Sequence, residues 1–146
     1  MPTFCLTRTV PLPLDEAWRR VTEWPRHSRT VPLTRIRVLT GGPTGVGTRF
    51  TARTGVGPLA VDDTMEVTVW RPPANGEGGL CRLEKRGRVV LGWARIEVRP
   101  GPGGRSRVVW QEELRLRFLP RALDGAVERT GRAVFGRGLN RLLRRA

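Results

Sequence analysis

The chain has no tyrosine, one histidine, one lysine and two cysteines among 146 residues. Each scarcity excludes something. Without Tyr, a common phenolic acid and oxyanion donor is missing, which weakens the case for an enzyme. His27 is the sole side chain that ordinarily titrates near neutrality, and nothing in the sequence places it in a Ser-His-Asp arrangement. Cys5 and Cys81 belong to no CxxC pair or Cys/His cluster, so no metal site is expected. Both lie in strand-like runs and read as buried, reduced thiols. No stretch approaches 18 consecutive apolar residues, so no membrane-spanning helix is expected. The opening MPTFCLTRTV lacks the basic start and long apolar run of a secretory signal, which makes the cytoplasm the expected location. No dinucleotide fingerprint or P-loop occurs, and no cofactor is expected.

What is present describes a folded domain. Hydrophobic residues make up 38% of the chain and there are five Trp, enough apolar surface for a single domain over residues 1–146. The net charge is +14. The arginines are spread along the whole chain rather than gathered in a tail, which reads as a solvated basic surface. Weak contact with an anionic membrane is compatible with it. Specific nucleic-acid recognition is not expected, because no aromatic platform interleaved with basic residues is evident. The oligomeric state is not readable.

Hydrophobic periodicity places one helix near each end and strands between them. Thr3–Val10 reads as a strand ended by Pro11 and Pro13. Asp15–Trp24 reads as a helix with Ala17, Trp18, Val21 and Trp24 on one face, stopped by Pro25. Strands follow over Thr34–Leu39, Thr48–Thr54, Leu59–Trp70, Leu80–Arg86, Arg88–Arg99 and Arg105–Phe118, cut by Gly/Pro turns. Leu59–Trp70 carries Val61, Asp63, Met65, Val67 and Val69 on one face. Arg105–Phe118 gives the cleanest alternation, with Val108, Trp110, Glu112, Leu114, Leu116 and Phe118 inward. Leu119–Arg145 reads as a long helix, with Pro120 in its first turn. Its apolar stripe is Leu123, Val127, Thr130, Val134, Phe135, Leu139 and Leu142, and its outer face is basic. Gly125, Gly131, Gly136 and Gly138 each weaken it by about 1 kcal/mol relative to Ala. Either the helix begins after Leu123, or it bends, or something large packs closely against it. The resulting class is α+β: a curved antiparallel sheet of about seven strands around a C-terminal helix, an arrangement that encloses a cavity.

Several residues are candidates for that cavity. Glu112 lies between Trp110 and Leu114 on the inner face, so it must be protonated, paired or hydrogen-bonded. One reading pairs it with Arg95 or Arg53; the other gives it a ligand or acid/base role. Asp63 shares a face with Met65 and Val67, where burial would raise its pKa, unless a bulge turns it to solvent. His27 follows the first helix and is a candidate proton-transfer partner or an exposed connector residue. Trp24, Trp70, Trp93 and Trp110 are candidates to stack on a flat ligand or to fill the core. The expected ligand-contact set is Trp24, Phe50, Met65, Val67, Trp93, Trp110, Leu114, Val134 and Phe135.

Three stretches resemble the SRPBCC superfamily, which includes START-like and polyketide cyclase/dehydrase-like proteins. Val10-Pro11-Leu12-Pro13-Leu14-Asp15-Glu16-Ala17-Trp18 is similar to its strand-to-helix link. Trp24-Pro25 followed by His27 is similar to its helix connector. Glu66-Val67-Thr68-Val69-Trp70-Arg71-Pro72-Pro73 is similar to a characteristic strand end. With the C-terminal helix, the resemblance spans essentially the whole chain. It implies a helix-grip fold and the handling of a small apolar molecule such as a lipid, isoprenoid or polyketide. Three functions follow as expectations. The first is binding or transport of that molecule in an internal cavity. The second is a cyclase or dehydrase using Glu112 or Asp63 with His27 for proton transfer. The third is an electrostatic adaptor that binds anionic membrane through the basic final helix. Whether a reaction is catalysed stays open at the level of sequence.

Overall fold

A computed structural model of the chain describes residues 3–29, 33–117 and 121–143. Strand β1 (Thr3–Val10) leads into helix α1 (Leu14–Thr22). Asp15 and Glu16 occupy the first turn of α1, and Arg19 and Arg20 the last, the charge order a helix dipole favours. Glu16 bonds Arg20 and Arg19, each at 2.8 Å. Those two guanidiniums hold its carboxyl down to about 2. On the other face Ala17, Trp18 and Val21 are buried. The helix stops at Thr22, two residues before the position read from the sequence, and Trp24–Arg29 forms a separate 310 turn. Pro25 is the second residue of that turn, where its missing N–H is harmless.

The remaining strands are β2 (Thr34–Val38), β3 (Arg49–Thr54), β4 (Val61–Arg71), β5 (Gly79–Lys85), β6 (Val90–Pro100) and β7 (Ser106–Leu116). They form one seven-stranded sheet in the order β1-β7-β6-β5-β4-β3-β2, and every pairing is antiparallel. The buried Ser106 hydroxyl donates to the Leu12 carbonyl at 2.6 Å, tying the start of β7 to the link before α1. Gly92 lies in mid-β6 with φ +126, and a Cβ there would collide with the Glu113 carbonyl oxygen. Only glycine lets β6 and β7 approach at that bend.

Helix α2 (Asp124–Leu143) follows a 310 turn, Arg121–Leu123, and packs against β1, β7 and α1. The helix therefore starts after Leu123, and one of its glycines, Gly131, also serves close packing. A Cβ on Gly131 would sit 3.0 Å from the Phe4 ring, and one on Gly136 would sit 3.5 Å from the Arg8 guanidinium. The inward stripe is shorter than the sequence suggests. It holds Gly131, Phe135, Leu139 and Leu142, whereas Leu123 and Thr130 are exposed. The expectations for Phe118, Pro120 and the side chain of Val127 lie outside the described residues. Arg129, Arg132, Arg137 and Arg141 are exposed, so the outer face is basic.

Two further expectations are corrected. The register of β4 shifts between Val67 and Val69. This bulge inserts one residue, so the face reverses beyond it. Val69 turns outward opposite Arg82, while Trp70 turns inward opposite Cys81 and packs on Trp18 with ring centroids 5.1 Å apart. Cys81 is buried, but Cys5 is exposed on the outer side of β1. Burial pushes the Cys81 thiol up to about 12.

Candidate functional site

The concave face of the sheet and α2 enclose a cavity of about 80 Å3, room for several waters or a compact ligand. Its walls are mainly apolar: Trp24, Ile36, Phe50, Met65, Leu83, Trp110 and Phe135. Two aromatic stacks frame it. Trp24 lies on Phe50 with centroids 4.5 Å apart. Phe135 stacks between Phe4 and Trp110, at 5.6 and 6.3 Å. Thr34 and Thr54 also line it, their hydroxyls 2.9 Å apart. Thr54 is exposed, so the cavity opens at this end of β2 and β3.

One wall is ionic. Asp63 and Glu112 are its acidic lining residues. Alternation explains how they meet. Glu112 faces inward on β7 opposite Ala94 of β6, which lies opposite Leu83 of β5; Lys85 is two residues beyond Leu83 and opposite Met65 of β4. Asp63 is two residues before Met65, on the same side of β4. Side chains two apart share a sheet face, so all three converge. Lys85 Nζ lies 2.6 Å from Asp63 Oδ2 and 2.9 Å from Glu112 Oε1. It also contacts Met65 Sδ at 3.8 Å, which uses the three protons of the ammonium.

The side chain of Lys85 is 0% exposed and that of Glu112 is 2% exposed, so both ions have left water almost completely. Burial raises the Glu112 carboxyl; Lys85 opposes the shift and Asp63 adds to it. Burial likewise raises Asp63 against the pull of Lys85. For Lys85 burial acts downward, but the two carboxylates outweigh it and hold the amine protonated beyond the ordinary lysine range. Each carboxyl group gives only one oxygen to Lys85. Asp63 Oδ1 and Glu112 Oε2 are buried without a hydrogen-bond partner among the described residues. The Trp110 indole lies close enough to favour the Glu112 charge, but among the described residues no hydrogen bond reaches Oε2.

Of the residues expected to contact a ligand, Trp24, Phe50, Met65, Trp110 and Phe135 line the cavity. Val67 is buried in the adjoining core. Leu114 and Val134 are half-buried and are not lining residues. Trp93 is on the convex face, because it shares a side with Glu84 and Glu113. There its Nε1 donates to Glu113 Oε2 at 3.0 Å, and the Arg82 guanidinium sits 4.9 Å over its ring. The arginines considered for Glu112 are also elsewhere: Arg95 pairs with Glu97 and Arg53 with Asp62. The backbone of His27 lies in the 310 turn after α1; its side chain is outside the described residues. Lys85 is the member of this ionic cluster that sequence reasoning missed. The available signal was the inward series Cys81, Leu83, Lys85 on β5, ending in the chain's sole lysine. No group of three or more His, Cys, Asp or Glu placed to hold a metal occurs among the described residues, and no described helix is long and apolar enough to cross a membrane.

A curved seven-stranded sheet closed by a C-terminal helix over an apolar cavity defines a helix-grip protein. The family described as polyketide cyclase/dehydrase and lipid transport matches residues 1–146. The chain belongs to that family. No curated protein matches its sequence. Among solved structures it is similar to the Zhui aromatase/cyclase from a Streptomyces species, at 17% identity and TM-score 0.65, covering 97% of this chain and 90% of that one. It is similar to a protein from Thermus thermophilus, at 14% identity and TM-score 0.67, covering 97% and 94%. It is also similar to Ara h 8.0201, at 13% identity and TM-score 0.62, covering 97% of each. At these identities the likeness concerns the fold.

Proposed function

We propose that this protein binds a compact, largely apolar molecule in the cavity under α2, as a carrier or container. The observation that carries this reading is the pair of aromatic stacks, Trp24–Phe50 and Phe4–Phe135–Trp110. Rings held against a small interior void offer an apolar guest many dispersion contacts at once. The family's description, which includes lipid transport, supports the same reading. Mass spectrometry of the purified protein, native and then denatured, tests it. A stoichiometric apolar adduct is expected. A protein that is empty and takes up no apolar probe would contradict it.

A second reading is favoured by one observation, the buried carboxyl pair on the cavity wall. Carboxyls raised by burial hold a proton more readily than exposed ones and are candidates for proton transfer, as a cyclase or dehydrase would require. Under this reading Glu112→Gln abolishes turnover and leaves ligand affinity nearly unchanged. Retained turnover would remove it.

A further inference from the structure

The family relationship does not say which polar group the cavity accepts, and the ionic wall does. Two carboxylates share one lysine, so with all three ionised the cluster carries one net negative charge. Lys85 lies behind the carboxylates: Asp63 and Glu112 line the cavity, and Lys85 does not. The ammonium's protons are already used on Asp63, Glu112 and Met65. A guest therefore meets acceptor oxygens rather than the cation. Glu112, almost fully buried, presents Oε2, and Asp63 presents Oδ1, both without partners among the described residues. Leaving such atoms unsatisfied is costly, and more so when they are charged. A guest that supplies donors recovers that cost. Among the described residues, no arginine or lysine lines the cavity to receive an anionic group. The +14 charge of the chain acts mainly from the solvated surface, where salt screens it within about 8 Å at physiological ionic strength.

We propose that the preferred ligand is a cationic amine with a compact apolar body. Its ammonium would donate to Glu112 Oε2 and Asp63 Oδ1, neutralising the cluster, while the apolar part lies between the Trp24–Phe50 and Phe135–Trp110 stacks. This rests on the container reading above and adds the chemical class of the ligand. A carboxylate or phosphate of the same body would place a second negative charge against two carboxylates.

The test is a matched series, 4-phenylbutylamine, 4-phenylbutanol and 4-phenylbutyrate, titrated at pH 7.5 against the full chain and followed by tryptophan fluorescence. The amine is expected to bind at least tenfold more tightly than the alcohol, and the butyrate more weakly than either. In Glu112→Gln the cluster becomes neutral, so the amine's advantage should fall to within about threefold while the alcohol's affinity holds. Asp63→Asn should do the same and serves as the second variant if Glu112→Gln does not fold by circular dichroism. Equal affinity for amine and alcohol in the unaltered protein, or a preference for the butyrate, overturns the proposal and leaves the container reading standing. An amine preference that survives both substitutions also overturns it. Binding of none of the three overturns the container reading and this proposal with it.

Discussion

Replacing Lys85 with Met should be among the most damaging single changes to the stability of this protein, and its cost should depend on pH in a defined direction. Lys85 holds Asp63 at 2.6 Å and Glu112 at 2.9 Å with its side chain 0% exposed. Met preserves most of the length and apolar volume of the stem but removes the cation. Two carboxyls then face each other in a low-dielectric wall. Breaking a buried pair by deleting one partner typically costs roughly 3–5 kcal/mol. That is a large share of the roughly 5–15 kcal/mol that holds a domain folded. Without the cation, both carboxyl pKa values rise further above their unfolded values. A raised acid favours the folded state below its unfolded pKa, and that contribution is lost as pH rises through the folded value. The deficit of the variant should therefore be largest near pH 7.5 and shrink towards pH 4.5. Urea denaturation at both pH values, followed by tryptophan fluorescence, reads this directly. The combined variant Asp63→Asn, Lys85→Met, Glu112→Gln should recover most of the loss, since a neutral wall has no unpaired ion. A Lys85→Met protein within about 1 kcal/mol of the parent at pH 7.5, or a deficit that grows at pH 4.5, would refute the reasoning.

Other changes separate packing from propensity. Gly92→Ala should cost at least ~3 kcal/mol by urea denaturation, because φ +126 is strained for Ala and the new Cβ meets the Glu113 carbonyl. Gly131→Val should cost about 1–3 kcal/mol through overpacking on Phe4, whereas Gly125→Ala, with open space at its Cβ, should gain up to ~1 kcal/mol in thermal unfolding. In the native protein one thiol, Cys5, should react with a thiol reagent at pH 8. The second should appear only on denaturation, since Cys81 is buried with its pKa pushed up to about 12; two rapidly reacting native thiols would contradict that burial.

Much of the architecture was legible because alternation is a local property. The run Val108–Leu116 gave the inner face of β7, and with it Glu112, from spacing alone. The C-terminal amphipathic stripe gave the helix that closes the cavity, and the excess of glycine along it anticipated a tight contact, found between Gly131 and Phe4. What failed depended on events that period-two reasoning cannot see. A one-residue bulge in β4 reverses the face beyond Val67, so Val69 turns outward and Trp70 joins Trp18 in the core. Trp93, as a strand aromatic, is a candidate to stack on a ligand, but its register places it outward, where Glu113 and Arg82 stabilise a partly exposed indole. The partner of Glu112 was sought among the abundant arginines. The terminal lysine of β5 reaches both carboxyls because three separate strands carry the three side chains to one point, which is tertiary information.

The central claim is that the aromatic-framed cavity under α2, with Asp63 and Glu112 on its wall, receives the ligand. The most direct measurement is the indole N–H region of a 1H–15N NMR spectrum during titration with 4-phenylbutylamine. The Trp24 and Trp110 indole signals should move together and saturate, while those of Trp70 and Trp93 stay in place. Saturating shifts at Trp93 or Trp70 with Trp24 and Trp110 unmoved would place the ligand elsewhere and contradict the account.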